Sequence, residues 1–135
     1  MTKKIDEFTA ERLISAAKEA RENAYAPYSN YKVGAALLAK SGQMYMGCNV
    51  ENASLGLTIC AERNAVGNAI LHGERSFKAI ALVMDDEPPA TPCGACRQVL
   101  AQFSQELHVI SVNLEGHRLD FFLTDLIPHL FEFKE

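Results

Sequence analysis

The sequence contains no apolar stretch that approaches membrane-spanning length. A transmembrane helix needs roughly 20 consecutive, mostly apolar residues, and Lys3 and Lys4 near the N-terminus are not followed by the apolar run of a secretory signal. We therefore expect a cytoplasmic protein with no membrane partner. In that reducing compartment the four cysteines are better suited to binding metal than to forming disulfides.

An excess of positive charge is also missing. The chain has 13 Lys and Arg residues against 17 Asp and Glu, which gives a net charge of -4. Nucleic-acid binders gain affinity by neutralising phosphates with Lys and Arg, so we expect no nucleic-acid partner. A small neutral molecule is the better match for the substrate.

Internal repeats and low-complexity segments are absent too. The 135 residues are 48% hydrophobic and 22% charged, which is ordinary for a globular protein. A chain of this length can bury one substantial core but is short for a second domain. We expect residues 1–135 to form a single domain.

Three of the four cysteines have a spacing that predicts a zinc site. Cys93 and Cys96 form a C-x-x-C pair, and Cys60 lies two residues before Glu62. Structural zinc sites usually have four protein ligands, whereas catalytic sites have three and keep the fourth position for water. One pair and one remote cysteine therefore predict one catalytic Zn²⁺ held by Cys60, Cys93 and Cys96. Glu62 is placed to act as the general acid and base.

The fourth cysteine, Cys48, could compete as a ligand, but it lacks a following glutamate at the same spacing. We expect it to be buried in a strand, where a free cysteine behaves as a small hydrophobic residue. The four histidines form no ligand pair, and we expect each of them at the surface or at a helix end. They are His72, His108, His117 and His129.

Hydrophobic patterns predict five strands. The first two form a hairpin with a turn at Lys40-Ser41-Gly42-Gln43. The third is a nearly continuous apolar run, which is typical of a strand covered on both faces. The predicted strands are Tyr31 to Lys40, Met44 to Val50, Phe77 to Met84, His108 to Asn113 and Leu119 to Leu123.

The same patterns predict three helices. The apolar stripe of the first includes Phe8, and Pro27 ends that helix because the residue before a proline is pushed away from helical angles. Thr58 is the expected cap of the second, and Gly73 its stop. Proline is welcome in a first turn and is expected to open the third. The predicted helices are Asp6 to Tyr25, Cys60 to His72 and Pro92 to about Phe103.

The connections between the strands determine the fold. The third and fourth strands are joined through a helix and must be parallel, whereas the link to the fifth is too short for a helical crossover and makes it antiparallel. The result is an α/β protein, a three-layer α/β/α sandwich around a mixed five-stranded sheet. Both zinc-binding segments lie at helix N-termini, where unpaired N–H groups and the helix dipole favour thiolates.

Longer motifs around the cysteines resemble a known family. The C-x-E and P-C-x-x-C patterns are the signature of zinc-dependent nucleoside deaminases. The resemblance to the small cytidine deaminases with three cysteine ligands runs from about Tyr25 to Phe131. The matching segments are Tyr28-Ser29-Asn30-Tyr31-Lys32-Val33-Gly34-Ala35-Ala36, Asn49-Val50-Glu51-Asn52-Ala53 and Cys93-Gly94-Ala95-Cys96-Arg97-Gln98.

The resemblance implies a fold, an activity and an assembly. The fold is that of the cytidine deaminases, including an antiparallel last strand. The activity is hydrolytic deamination of cytidine and 2'-deoxycytidine to uridine and 2'-deoxyuridine in pyrimidine salvage. In this reaction water activated by zinc attacks C4 of cytosine, and Glu62 carries its proton to N3 and then to the leaving amine. The assembly is a homotetramer with sites shared between subunits.

Arg63 is the expected source of positive charge at the metal. Zinc with three thiolates is net negative, so its water should be harder to deprotonate than on zinc with neutral ligands. Arg63 can hydrogen-bond the ligand sulfurs and reduce that charge, and the resemblance implies the same role. The alternatives are a surface arginine at this position, and for Glu62 a carboxylate that only interacts with the helix dipole.

The remaining site residues depend on the resemblance. Asn49 and Glu51 leave a strand end on one face and are implied to hold the ribose 3'-hydroxyl, although turn chemistry explains them equally well without it. Tyr31 corresponds to an aromatic residue that packs against base and sugar, often phenylalanine; a core aromatic is the alternative. Ala61 is implied to bind substrate. Phe131 is implied to reach a neighbouring subunit's site, the alternative being a core or tail residue.

Three other functions stay open at this point. A deaminase of another cytosine-containing small molecule, of the blasticidin-S type, would use the same chemistry. A polynucleotide-editing deaminase would too, but the acidic balance and the lack of a basic, aromatic strip disfavour it. A non-catalytic, zinc-stabilised interaction module would need the metal's fourth position to be closed by the protein.

Overall fold

The computed structural model describes residues 4–134. Within them the five predicted strands are present, and the third and fourth have the predicted bounds. The strands are β1 (Gly34–Ala39), β2 (Met44–Cys48), β3 (Phe77–Met84), β4 (His108–Asn113) and β5 (Arg118–Phe122). The helices are α1 (Glu7–Arg21), α2 (Ala61–Leu71), α3 (Gly94–Phe103) and the short α4 (Leu123–Leu126).

The strands form one mixed sheet in the order β2-β1-β3-β4-β5. The parallel pair is β3 with β4, which are joined through α3, and β5 returns antiparallel to β4. The hairpin of β1 and β2 is antiparallel, with Gly42 at a φ of 95° in its turn. The predicted strand directions are therefore confirmed.

The sheet buries both of its faces, because alternate side chains of a strand point to opposite sides. On one face Ala36 and Val83 pack with Leu13 of α1. On the other face Leu37 and Leu82 belong to the cluster that includes residues of α2 and α3. Helices therefore cover the sheet on both sides, and the predicted three-layer α/β/α sandwich is confirmed.

Two glycines set how closely the helices approach the sheet. A Cβ at Gly34 would overlap the Ala17 carbonyl oxygen of α1, and a Cβ at Gly47 would overlap the backbone of Ala61 and Ala65 in α2. The β2 backbone thus lies directly against the first turn of α2. This contact fixes the height at which α2 begins above the sheet.

The first helix is shorter than its apolar pattern predicted. It ends at Arg21 rather than Tyr25, so Pro27 does not end it. Tyr25 instead pairs with Val50, because its N–H donates to the Asn49 carbonyl at 2.9 Å. Phe8 was expected in the buried stripe, but it is 74% exposed.

The starts of α2 and α3 also differ from prediction, in the same way. Cys60 is the N-cap of α2 and Cys93 is the N-cap of α3, both with extended backbone angles. Thr58 and Pro92 lie before these helices and neither caps nor opens them. The stop of α2 is as predicted, since Gly73 follows the cap His72 with a φ of 91°.

Several other features were not foreseen. A short 3-10 helix lies at Leu55–Leu57, and α4 follows β5 directly. His108 was expected near the surface but is 1% exposed; its Nδ1 accepts from the Ile5 N–H and its Nε2 lies 2.6 Å from Asp120. Within residues 4–134, each helix is too short or too polar to cross a membrane.

Candidate metal and active site

The fold brings together three cysteines that are remote in the sequence. Cys60, Cys93 and Cys96 each offer a sulfur, and these sulfurs all lie within 4.8 Å of one another. Cys60 precedes α2, while Cys93 and Cys96 lie at the start of α3, and both helices pack on the same face of the sheet. Among the described residues Cys48 is outside this cluster; it ends β2 and is only half-buried.

Both helices direct their first turns at the cluster. An α-helix leaves its first N–H groups without partners inside the helix, and its N-terminus carries partial positive charge. Cys60 and Cys93 occupy the N-cap position itself, and neither side chain caps its own helix. Their sulfurs are therefore available to a ligand at a place where negative charge is favoured.

The carboxyl group of Glu62 lies in the first turn of α2 and is only 6% exposed. Burial raises the pKa of Glu62 to about 7, since water no longer stabilises the ionised form, and the charge of Cys60 acts in the same direction. The backbone N–H of Glu62, the charge of Arg63 and the Cys96 thiol act against this increase. A buried carboxyl group with such a pKa can both accept and release a proton near neutrality.

Arg63 is directed at the cluster rather than at solvent. Its Nη2 donates to the Thr58 carbonyl at 3.2 Å and lies 3.7 Å from the sulfur of Cys60. Its Nε is buried without a hydrogen-bond partner among the described residues. The hydrogen bond to Cys60 raises the pKa of Arg63 further above its ordinary value. The site therefore contains a permanent positive charge beside a sulfur ligand.

The pKa values of Cys60 and Cys96 bear on whether a cation fits between the three sulfurs. A hydrogen bond from Cys96, together with Arg63, lowers the pKa of Cys60 to about 5, whereas the same hydrogen bond and burial raise the pKa of Cys96. Thiolate sulfurs this close together repel one another. A soft divalent cation removes that repulsion and takes thiolate ligands. The donor set fits one Zn²⁺.

A cavity of about 270 Å³ opens beside this cluster. Cys60, Glu62 and Cys93 form part of its wall. The other lining residues are Tyr31, Val33, Asn49, Glu51, Thr58, Ala61, Leu82, Met84, Ala90 and Thr91. A small ligand in this cavity would therefore contact cysteine sulfurs, a carboxyl group and apolar side chains.

Asn49 is buried at the end of β2, and its side chain joins two segments. Its Oδ1 accepts from the Val33 N–H at 2.9 Å, and its Nδ2 donates to the Tyr31 carbonyl at 2.7 Å. One N–H of the amide is left for a ligand, since an asparagine side chain has two. Asn49 therefore has this N–H and the second lone pair of Oδ1 available to a ligand.

Glu51 lies two residues further on and is held by the loop before β1. It accepts from the N–H groups of Tyr28 and Ser29 at 3.0 and 3.1 Å, and from the Ser29 hydroxyl. The Ser29 hydrogen bond lowers the pKa of Glu51. Glu51 thus presents an ionised carboxylate at the cavity and can accept a hydroxyl hydrogen.

Tyr31 forms the outer part of the cavity and is 41% exposed. Burial and a hydrogen bond to the carboxylate of Asp86 raise the pKa of its phenol well above the ordinary value. Asp86 was not predicted, because the loop that contains it has no regular sequence pattern.

The last two predicted site residues, Ala61 and Phe131, differ in whether they line the cavity. Ala61 is fully buried and lines the cavity next to Cys60. Phe131 is 74% exposed and does not line the cavity of its own chain. Its backbone carbonyl accepts from Gln98 of α3 at 2.9 Å, so the backbone is held while the ring faces outward.

The fold and the site together define a class of zinc enzymes. Three thiolates, a buried carboxyl group and an adjacent cavity form a metal site of the open, catalytic kind, not the closed structural kind. A family profile described as the cytidine and deoxycytidylate deaminase zinc-binding region matches residues 8–112. Two curated cytidine deaminases agree: one from Sporosarcina psychrophila is 50% identical over 90% of both chains. One from Halalkalibacterium halodurans is 48% identical, over 88% of this chain and 91% of its own.

Solved structures give the same result. The crystal structure of cytidine deaminase from Burkholderia pseudomallei has a TM-score of 0.87 at 50% identity, covering 90% of this chain and 98% of that one. Cytidine deaminase from Mycobacterium tuberculosis has a TM-score of 0.81 at 37% identity, covering 96% and 100%. The chain belongs to the cytidine and deoxycytidylate deaminase family. The predicted zinc cofactor is confirmed by the family's zinc-binding region and by the three-cysteine cluster.

Proposed function

We propose that this protein catalyses the hydrolytic deamination of cytidine and 2'-deoxycytidine to uridine and 2'-deoxyuridine. The observation that carries the proposal is the buried carboxyl group of Glu62 beside three convergent cysteine sulfurs at the wall of a small cavity. The cavity of about 270 Å³ is small for anything larger than a nucleoside, since drug-sized ligands occupy roughly 300–1,000 Å³. The net charge of -4 also disfavours a polynucleotide.

Glu62 moves the protons of the reaction. The oxygen of water bonds to C4 of the cytosine ring while Glu62 accepts one proton and passes it to N3. Glu62 then accepts the remaining hydroxyl proton and gives it to the exocyclic amine. The C4–N bond breaks, ammonia leaves, and a carbonyl remains at C4. Zinc bound by Cys60, Cys93 and Cys96 would supply Lewis acidity, which makes water a stronger acid at neutral pH.

Arg63 offsets the negative charge of the metal site. Three thiolates exceed the charge of one divalent cation, and this surplus opposes ionisation of water. The guanidinium contact with the Cys60 sulfur, at 3.7 Å, withdraws charge from that ligand. Arg63 thus acts through the sulfur and not on the substrate.

Asn49 and Glu51 hold the sugar. Both line the cavity, and Glu51 is an ionised acceptor fixed by the loop at Tyr28 and Ser29. A carboxylate acceptor and one amide donor suit the ribose 3'-hydroxyl. Because 2'-deoxycytidine retains that hydroxyl, both nucleosides are substrates. Tyr31 packs against base and sugar, and Ala61 contributes to the wall beside the reacting ring.

The protein assembles as a homotetramer with sites completed across interfaces. The support is a group of exposed apolar residues around the bridges of Val50 with Tyr25 and with Ile59. Exposed apolar patches mark interaction sites, and the bridges place exposed Tyr25, Val50 and Ile59 side by side. The group consists of Tyr25, Tyr28, Val50, Leu55, Leu57 and Ile59. Phe131, exposed on a backbone held by Gln98, reaches the site of a neighbouring subunit.

The cellular setting follows from the chemistry. An enzyme that converts free cytidine to uridine serves pyrimidine salvage, and its nucleoside substrates are found in the cytoplasm. Residues 1–135 form one domain, with one Zn²⁺ per subunit. Sedimentation or light scattering of the purified protein measures the assembly directly, and a monomer would contradict the shared site.

The activity is tested by following the loss of cytidine absorbance with and without a zinc chelator. We expect turnover that the chelator abolishes and added zinc restores. Cys60→Ser should lose both zinc and activity, whereas Cys48→Ser, outside the cluster, should retain both. A zinc-loaded protein that leaves cytidine and 2'-deoxycytidine unchanged would contradict the proposal. X-ray absorption showing four sulfurs at the metal would also contradict it, since it indicates a closed site.

A further inference from the structure

Arg97 follows the cysteine Cys96 directly, yet its side chain is directed away from the metal site. Its Nε donates to the Pro92 carbonyl at 2.6 Å, and its Nη2 donates to the Thr91 hydroxyl at 2.8 Å. Its Nη1 donates to the Leu126 carbonyl at 2.7 Å. One guanidinium group therefore joins the segment before Cys93 to the end of α4.

Each of these acceptors has a consequence for the site. Pro92 immediately precedes the ligand Cys93, so its carbonyl fixes the direction from which the chain enters the cluster. Thr91 lines the cavity. Leu126 is the last residue of α4, and carbonyls at a helix end lack partners within the helix. Arg97 satisfies that carbonyl and holds the segment of Thr91 and Pro92 in place.

An arginine is suited to this role and a lysine is not. The guanidinium group is planar, is always charged and carries five donors in a fixed arrangement. Three of these donors reach three acceptors in two separate stretches of chain. A lysine ammonium at the same place would be a compact point donor on a flexible stem, and it would not match all three directions.

The neighbouring residue strengthens the same connection. Gln98 donates to the Phe131 carbonyl at 2.9 Å. Leu126, Ile127 and Leu130 pack against the core cluster that includes α3. Arg97 and Gln98 together therefore hold residues 126–131 against α3. Only Arg97 also contacts the segment that enters the metal cluster.

We propose that Arg97 is a positioning residue that couples the C-terminal segment, residues 126–134, to the metal-binding loop 91–93. Among the described residues, those lining the cavity include Thr91 and Cys93 but not Arg97, so Arg97 acts through them and does not contact the substrate. When Arg97 holds both segments, the Cys93 sulfur and the Thr91 side chain keep their positions. The proposal rests on the proposed function only for its effect on turnover.

The test compares Arg97→Met with Arg12→Met, which removes an exposed arginine on α1. Zinc release to a chelator, hydrogen exchange of residues 88–93 and 126–134, and kcat and KM for cytidine are measured for each. Groups that orient metal ligands typically change metal affinity or activity by roughly 10–100-fold when mutated. For Arg97→Met we expect zinc release to be at least about 10-fold faster. We also expect faster hydrogen exchange in residues 88–93 and 126–134, and a lower kcat for cytidine. Arg12→Met should behave as the unmodified protein.

Gln98→Ala separates coupling from a general loss of stability. It removes the bond to Phe131 but leaves the Arg97 bonds, so exchange should increase in residues 128–134 and stay unchanged in 88–93. Unchanged zinc release and exchange in Arg97→Met would overturn the proposal. If Arg97→Met does not fold, the same measurements are made on Arg97→Lys. We expect an intermediate effect, and the absence of any effect would contradict the proposal. Failure of the unmodified protein to deaminate cytidine would refute the proposed function, while zinc release and exchange would still decide the role of Arg97.

Discussion

The Nη2 of Arg63 lies 3.7 Å from the sulfur of Cys60. This contact links a permanent positive charge to a metal ligand three residues earlier in the chain. Since the guanidinium also bonds the Thr58 carbonyl at 3.2 Å, it is fixed in place and not free to turn toward solvent. Glu62, in the first turn of the same helix, is a second ionisable group close to this sulfur.

The first prediction concerns Arg63 itself. We expect Arg63→Ala to lower kcat/KM for cytidine by roughly 10–100-fold, because the surplus negative charge of three thiolates then opposes ionisation of water. Steady-state kinetics and zinc content by atomic absorption check this. Arg75→Ala is the control, because Arg75 bonds only backbone carbonyls of Ile70 and Glu74 at the exposed end of α2. If Arg63→Ala had unchanged zinc content and unchanged turnover, Arg63 would have no role at the metal.

The second prediction separates metal binding from proton transfer. Glu62→Gln preserves the shape of the side chain but removes its ability to carry a proton. We expect zinc content to be unchanged and kcat to fall by at least about 10²–10⁴, the contribution of one general acid or base. Glu19→Gln on the exposed side of α1 should leave kcat unaltered. Substantial turnover by Glu62→Gln would refute the assignment.

The third prediction uses the close contact between β2 and α2. Gly47→Ala forces its Cβ against the backbone of Ala61 and Ala65, and overpacking of this kind costs about 1–3 kcal/mol. Because α2 begins there, we also expect weaker zinc binding. Gly67→Ala is the matched control within α2, where an added Cβ would have no close neighbour among the described residues apart from the backbone of its own helix. It should stabilise the protein by up to about 1 kcal/mol. Urea unfolding measures the stability of both variants. Equal changes in the free energy of unfolding would contradict this prediction.

The fourth prediction concerns pH and lies away from the metal. His117 Nδ1 contacts the Glu87 carboxylate; this bond raises the pKa of His117 and lowers the pKa of Glu87. The His117 contribution is present below its ordinary pKa of 6.5 and is lost as pH rises through the raised value. The Glu87 contribution is present above 4.5 and is lost as pH falls through the lowered value. The pair therefore stabilises the protein most between these two ordinary values.

NMR titration of the His117 ring measures this effect. We expect Glu87→Gln to return the pKa of His117 toward its ordinary value, because the hydrogen bond that His117 donates to the Glu87 carboxylate is the main cause of the shift. Glu115→Gln should have a smaller effect, since the Glu115 charge is the least of the causes. Equal titration curves for the unmodified protein and Glu87→Gln would show that the two groups do not interact in solution.

Sequence patterns predicted most of the architecture, and the misses share a physical origin. The apolar run at Phe77–Met84 defined β3 to the residue, because a strand covered on both faces is a nearly continuous run of apolar residues, interrupted here by the exposed Lys78. The end of α1 was placed four residues late, since Ala24 continues the helical pattern while Tyr25 pairs with the remote Val50. Long-range pairing of this kind leaves no trace in local periodicity.

The same reasoning explains the site. The cysteine spacing and the helix starts were sufficient to place three sulfurs together, because ligand chemistry restricts which residues can share a metal. The contacts of Arg97 with Leu126 and of Tyr31 with Asp86 were not foreseen. Each joins segments far apart in the chain through one side chain, and no spacing rule connects them.

The positions of Cys60 and Cys93 at the heads of two different helices have a mechanical consequence. A cation bound by both cysteines joins the starts of α2 and α3, which are separated in the chain by β3. Occupancy then adds to the folding free energy by mass action. Removing the ion with a chelator should lower the melting temperature. The melting temperature should therefore report zinc occupancy even when no nucleoside is present.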